Sequence, residues 1–387
     1  MRSDQGPNHL PPPVRALFIF GTRPEAIKLS PVILYMKARP VAFNVRVAVT
    51  AQHRQMLDQV LQVFRITPDY DLNLMLPGQT LATSTSRMLA ALEPVFRDAS
   101  PDIAYVQGDT TSTLCGALSA FYAGVPIGHI EAGLRTGDML QPFPEEANRV
   151  LTGRLAALHF AATNGSRDNL LREGVRPETI HVTGNSGIDA VLNVRDRLQA
   201  GQLMSGSDWS FIHPNKPVIL VTAHRRESFG EGMDSICRAL LRLAARGDAE
   251  IVFPVHRNPN VLGPVQRQLG NVPGIHLLEP LDYVPFVDLM SRAAILLTDS
   301  GGVQEEGPSL GKPVLVMREK TERPEAVEVG TVRLVGTNED RIVAEVTRLL
   351  DSPEARATMC HVHNPYGDGH ASERIADATL EFMRLIR

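Results

Sequence analysis

Cysteine is scarce in this chain: Cys115, Cys237 and Cys360 stand far apart, with no CxxC spacing. That argues against a disulfide framework and a thiolate zinc site, and it fits reduced thiols in the cytoplasm. No two histidines stand at ligand spacing on one element, so no metal centre is expected. Strong charge of one sign is also missing. A net charge of −4 and a pI near 6.3 offer no basic field to nucleic acid or to an anionic membrane. No apolar run approaches the ~18 residues of a membrane span. The opening MRSDQGPNHLPPPVR is polar and proline-rich, without the apolar stretch of a secretory signal. Neither GxGxxG nor GxxxxGKS/T occurs, which weakens a dinucleotide oxidoreductase and a P-loop NTPase alike. Helical repeats of fixed period are absent as well.

What remains is ordinary globular material: 387 residues, 43% apolar and 21% charged. At about 150 residues per domain that is two or three domains. A buried strand followed by a helix is the recurring unit. RALFIF runs into GTRPEAIKLSPVILYMK, with Pro24 expected at the first helical position, where its missing N–H costs nothing. VRVAVTA, IAYVQ, VPIGHIE, ALHFAAT and TIHVTG continue the pattern, giving six or seven strands. Residues 201–217 are turn-rich, so the connection between domains is expected at about 190–216. Six further strands follow, from PVILVTA to TVRLVG. The expected class is α/β with two Rossmann-like domains and a cleft between them. The expected division is a disordered tail over 1–14, a first domain over 15–190 and a second over 191–369. A C-terminal helix over 370–387 should pack back on the first domain, with apolar Ile375, Leu380, Phe382, Met383 and Ile386 at helical spacing.

Three acidic positions stand at successive βα junctions. Asp109 follows IAYVQ, Glu131 ends VPIGHIE, and Glu145, with Glu146, follows PFP. Open α/β sheets bind ligands at the carboxyl ends of their strands. Asp109, Glu131 and Glu145 are therefore expected in one crevice, where paired carboxylates do acid/base work. The plainer alternative is that Asp109 caps the helix at 110–123 and Glu145 complements its helix dipole.

Two glycine-bearing junctions look suited to phosphate. In FIFGTRPEAIK, Gly21 allows a tight turn, and Arg23 and Lys28 add positive charge near a helix N-terminus. In LLTDSGGVQEEG, Gly301 and Gly302 allow close backbone approach, Ser300 can cap and donate, and Glu305 or Glu306 can accept from ribose hydroxyls. His53, His224 and His256 each follow a strand, His224 beside Arg225 and Arg226. A histidine among arginines favours its neutral form unless a phosphate is near.

Assembled, these motifs resemble the non-hydrolysing UDP-N-acetylglucosamine 2-epimerases from about residue 15 to the end. The matching stretches include GTRPEAIKLSPV, TAQHRQML, QGDTTST, HIEAGLRTGD, PFPEEANR, VTGNSGIDA, TAHRRESFGEGM, LTDSGGVQEE and TERPEA. The resemblance implies a GT-B-type fold with UDP held between the domains, a homodimer, no metal and no nicotinamide or other cofactor. It implies interconversion of UDP-GlcNAc and UDP-ManNAc by elimination of UDP to 2-acetamidoglucal and re-addition, feeding surface polysaccharide synthesis. By resemblance, Asp109, Glu131 and Glu145 are the catalytic carboxylates, and His224 stabilises or protonates the leaving UDP. Arg23, Lys28, His53, Ser300, Gly301, Gly302, Glu306 and Arg323 match substrate-binding positions, and Phe286 an aromatic beside the uracil. Gln52, Gln55 and His256 match parts of a second, activating UDP-GlcNAc site, although the loop MLPGQT lacks a basic residue that some members carry. A hydrolysing epimerase releasing UDP and ManNAc, and an epimerase of a UDP-diacetamido-uronic acid, are the alternatives.

Overall fold

A computed structural model of the protein describes residues 11–50, 54–76, 78–360 and 364–386, leaving aside the side chains of Arg54 and Gln55. The chain divides into two compact units. One runs to Ser186 and takes back the chain from His370; the other is Gly187–Gly369.

In the first unit the elements are β1 (Val14–Phe20), α1 (Arg23–Lys37), β2 (Phe43–Val49), α2 (Arg54–Val63), β3 (Tyr70–Asp71), α3 (Leu81–Ala99), β4 (Ile103–Gln107), α4 (Thr111–Tyr122), β5 (Ile127–Ala132), α5 (Glu145–Leu155), β6 (Leu158–Ala161), α6 (Asn164–Arg172) and β7 (Ile180–Val182). The expected tail over 1–14 lies, for residues 1–10, outside the described residues. Val14 is corrected, because it is buried and already pairs with Phe43 across β1 and β2. Pro24 is the second helical residue rather than the first, since α1 begins at Arg23. β3 was legible only as a loop, because two residues carry no alternation to read. The apolar strand runs are buried, as parallel strands covered on both faces should be.

The second unit opens with α7 (Ser186–Gln199), whose first residue belongs to the first unit. It continues as β8 (Val218–Thr222), α8 (Glu231–Ala244), β9 (Glu250–Pro254), α9 (Pro259–Leu269), β10 (Ile275–Leu278), α10 (Tyr283–Arg292), β11 (Ile295–Thr298), α11 (Gly301–Ser309), β12 (Val314–Val316), α12 (Pro324–Glu328), β13 (Val332–Leu334), α13 (Glu339–Asp351) and α14 (Pro353–Cys360). The connection expected at about 190–216 is therefore helical as far as Gln199, and only then turn-rich. Ala190, Val191 and Val194 are buried helical residues.

Both sheets are parallel, and their strand orders locate the sites. The first is β3-β2-β1-β4-β5-β6-β7 and the second β10-β9-β8-β11-β12-β13. Each chain path builds outward from its first strand to one side, then crosses to build on the other. The order thus reverses between β1 and β4 in the first unit and between β8 and β11 in the second. Such switch points leave a crevice at the carboxyl ends of the two strands. Those ends are Gly21 and Asp109 in one unit, His224 and Ser300 in the other.

The last helix, α15 (Ala371–Ile386), packs against α1 in the first unit, as expected. Ile375, Ala376 and Thr379 are fully buried, and Thr379 Oγ1 lies 2.5 Å from the hydroxyl of Tyr105, whose ring stacks on Phe18 at 4.6 Å. Ile375→Ala should destabilise the unit by about 2–5 kcal/mol, the cost of emptying a closed apolar site. An unchanged denaturant midpoint would detach α15 from that core. Among the described residues no helix is long and apolar enough to cross a membrane.

Candidate active site

At the first switch point, Gly21 is required for space rather than for its φ. A Cβ there would collide with Thr50 Oγ1 and Ser112 Oγ. This close fit lets α1 start beside α4, with half-buried Arg23 as its first residue. Across the switch point, β4 leaves through Gly108 at φ +70° and delivers Asp109. Asp109 is not the cap of α4: Thr110 is, its side-chain oxygen accepting from the N–H of Thr113 at 3.1 Å. Relieved of capping, Asp109 is held by others. Asn148 donates to its carbonyl at 2.9 Å, and Arg149 Nη2 lies 2.7 Å from its Oδ2.

The carboxyl of Asp109 is pushed up to about 6, chiefly by burial. Arg149 and Lys28 pull it back, while Glu131 and Glu145 push it further. These influences place four charged groups around the Asp109 carboxyl. Glu131 and Glu145 thus lie near enough to Asp109 to act on its charge, and Lys28 and Arg149 join them there. Glu131 sits at φ +62°, a left-handed conformation uncommon for a residue with a side chain. Its Oε1 meets Lys28 Nζ at 2.5 Å and its Oε2 accepts from Gln107. Lys28, expected on phosphate, faces Glu131 in the structure. Glu145 opens α5 and is half-buried. Its neighbour Glu146 is buried and turned toward the preceding loop, accepting from the N–H groups of Thr136 and Gly137 at 3.1 Å. His129, pulled down to about 3 by burial, is neutral, and its Nε2 lies 2.8 Å from the Gly108 carbonyl.

At the second switch point the organising group is Asp299, fully buried after β11. It accepts from the N–H groups of His224 and Arg225, both at 2.7 Å, and its Oδ1 lies 3.0 Å from His224 Nδ1. Burial alone would raise its pKa, but the hydrogen bond and charge of His224, with the two N–H donors, bring it below its ordinary value. His224 thus presents its Nε2 edge outward, and His256 stacks on it at 5.8 Å.

Ser300 precedes α11 without a side-chain capping bond, so the expected capping role is corrected. Its own N–H donates to Thr298 Oγ1 at 2.9 Å. The N-terminus of a helix is the end that suits an anion, and α11 opens there on two glycines. The two glycines serve different ends. A Cβ on Gly301 would lie 2.7 Å from Cζ of Arg323, whereas Gly302 is exposed, with only Ser300 Oγ within contact. Arg323 is paired through Nε with buried Glu305 at 2.5 Å, while Glu306, one residue on, is only half-buried. Phe286 is half-buried on α10. Gln52, His53 and the side chain of Gln55 lie outside the described residues.

The family model for UDP-N-acetylglucosamine 2-epimerase matches residues 36–380. The chain belongs to this family. The Salmonella typhimurium UDP-N-acetylglucosamine 2-epimerase is 56% identical over 373 residues, covering 95% of this chain and 99% of that one. A crystal structure of the Neisseria meningitidis UDP-GlcNAc 2-epimerase bound to UDP-GlcNAc is 48% identical, with a TM-score of 0.86 and coverage of 95% and 99%. The Methanocaldococcus jannaschii UDP-GlcNAc 2-epimerase, in complex with UDP-GlcNAc and UDP, is 33% identical with a TM-score of 0.75 and the same coverage. The α/β class with two Rossmann-like domains of GT-B type is the fold of this epimerase-family chain.

Sequence reasoning passed over Arg149, Asn148, Asp299 and Glu25. Arg149 follows Glu145 by four residues on one helix face, a spacing that could have flagged it. Asp299 precedes the glycine pair that drew attention instead. Glu25 completes T-x-x-E with Thr22, the sequence mark of a capping box.

Proposed function

We propose that the protein interconverts UDP-N-acetylglucosamine and UDP-N-acetylmannosamine without hydrolysis. The observation that carries the reading is the convergence of Asp109, Glu131 and Glu145 with Lys28 and Arg149 at a sheet switch point. A base removes the C2 proton, and the electrons of that C–H bond form the C1–C2 double bond as the C1–oxygen bond breaks and UDP leaves. Return of a proton to the other face of C2, with re-addition of UDP at C1, completes inversion. Two-sided proton transfer calls for more than one carboxylate, and the site has three. An acidic group poised near neutrality suits it.

His224, held by Asp299, protonates or stabilises the departing diphosphate, and the start of α11 with Ser300, Gly301 and Gly302 receives phosphate. By resemblance, Glu306 accepts from ribose hydroxyls, Phe286 lies by the uracil, Arg323 is a further anion contact, and Arg23 contacts the diphosphate. His53 is a substrate contact, and Gln52, Gln55 and His256 an activating site, by resemblance alone. By the same resemblance, and with three free thiols, we place the enzyme in the cytoplasm as a homodimer. A monomer mass by light scattering would remove the dimer.

Chromatography of the protein with UDP-GlcNAc should give a mixture of the two UDP-sugars, the same from either direction. UDP with free ManNAc would move the chain to the hydrolysing branch. Arg23→Ala should weaken UDP binding by about 1.5–3 kcal/mol, the range for a charge-assisted hydrogen bond. Unchanged affinity by calorimetry would end that assignment.

A further inference from the structure

Glu25 has no part in the chemistry above, yet its carboxylate is buried where two turns meet. In an ordinary capping box the glutamate reaches back to the N-cap N–H. Glu25 does that and more. Its Oε2 accepts from the N–H of Gly21 at 3.0 Å and of Thr22 at 2.7 Å. Its Oε1 accepts from Thr110 Oγ1 at 2.7 Å, with Thr113 Oγ1 at 3.2 Å. The first pair belongs to the turn after β1, which hands on Arg23. The second belongs to the turn after β4, where Thr110 directly follows Asp109. Capping α1 needs neither this burial nor Oε1. Enclosing a carboxylate is costly unless its lone pairs are filled, and burial works to raise the pKa of Glu25 against those hydrogen bonds. Gly21 adds the same constraint from below, wedged against Thr50 and Ser112.

We propose that Glu25 is a positioning residue, whose two oxygens hold the turn carrying Arg23 in register with the turn carrying Asp109. The inference rests on the roles given to those two residues in the proposed function. Asp299 makes the matching connection in the second unit, tying the turn after β8 to the turn after β11.

Four variants test it. Glu25→Ala removes both arms. Glu25→Gln keeps the shape, its amide oxygen serving Gly21 and Thr22 and its NH₂ facing the Thr110 hydroxyl. Thr110→Val removes the shorter contact to Oε1, and with it the α4 cap, while leaving the α1 cap and the longer Thr113 contact; Thr110→Ser restores both. Two readouts are taken on protein whose circular dichroism is native: kcat and KM for UDP-GlcNAc, and the titration of the Asp109 carboxyl by ¹³C NMR, assigned through Asp109→Asn. Facing that carboxyl are Arg149 and Glu145 from α5, Glu131 from β5 and Lys28 from α1.

Wild type, Glu25→Gln and Thr110→Ser should titrate near the same value, about 6. In Glu25→Ala and Thr110→Val the turn opens to water. The midpoint then falls by about one unit, kcat drops about 10²-fold through misplacement, and KM rises. Titration and rate must move together. Folded Glu25→Ala or Thr110→Val protein with either readout unchanged overturns the proposal and leaves Glu25 a helix cap. If Glu25→Ala does not fold, Thr110→Val decides. If wild type does not turn over UDP-GlcNAc, the functional reading falls, while the Asp109 titration still decides the register.

Discussion

Asp109→Asn should lower turnover of UDP-GlcNAc by about 10²–10⁴-fold with affinity largely kept, the signature of lost proton transfer. The amide is isosteric, so Asn148 and the packing of the turn are retained, but it neither gives nor takes the proton. Glu131→Gln should behave alike, because Lys28 and Gln107 hold its carboxylate in place and an amide keeps only part of that grip. The pH profile adds a second check. Burial, outweighing Arg149, holds Asp109 at about 6, so kcat/KM should bend near that pH. A fall below the bend makes Asp109 the base, since the ionised form is then the active one; a fall above it makes Asp109 the acid. The bend should vanish in Asp109→Asn. Wild-type-like turnover in the variant would remove Asp109 from the mechanism.

Asp299→Asn should lower kcat by about 10²–10³-fold, the scale on which a misdirected histidine or lost charge stabilisation costs an enzyme. The carboxylate sits against His224 Nδ1 and accepts two backbone N–H groups, so it fixes both the ring and the turn. Asn still offers one oxygen to the backbone, but its NH₂ faces Nδ1 and favours the opposite tautomer. The imidazolium needed beside a departing diphosphate then loses its counter-charge. ¹⁵N NMR of the His224 ring should show the tautomer change, a readout that simple loosening of the fold would not give. An unchanged ring spectrum with unchanged kcat would leave Asp299 a structural group only.

Much of this was legible in the sequence, for identifiable reasons. Strand–helix alternation marks its own period, so twelve strands could be read from apolar runs, and only the two-residue β3 gave no pattern. Asp109 and Glu131 were readable because each ends or follows such a run, and Glu145 because it follows Pro142 and Pro144 at a helix start. Strand order was not readable, since pairing between β1 and β4 joins segments far apart in the chain, and the switch points follow from that order alone. Glu25, Arg149 and Asp299 were missed for the same reason. Their importance lies in partners 85, 40 and 75 residues away, while locally they look like a cap, a helix surface arginine and a turn aspartate. Lys28 shows the converse: its motif pointed to phosphate, but its partner in the structure is Glu131.

Proton NMR of the purified protein with UDP-GlcNAc in D₂O tests proton transfer at C2 most directly. UDP-ManNAc should appear carrying deuterium at C2, with the bond to UDP intact and no free sugar accumulating. UDP together with free ManNAc, or a UDP-sugar pool that keeps its C2 proton unchanged, would contradict non-hydrolysing epimerisation by this chain.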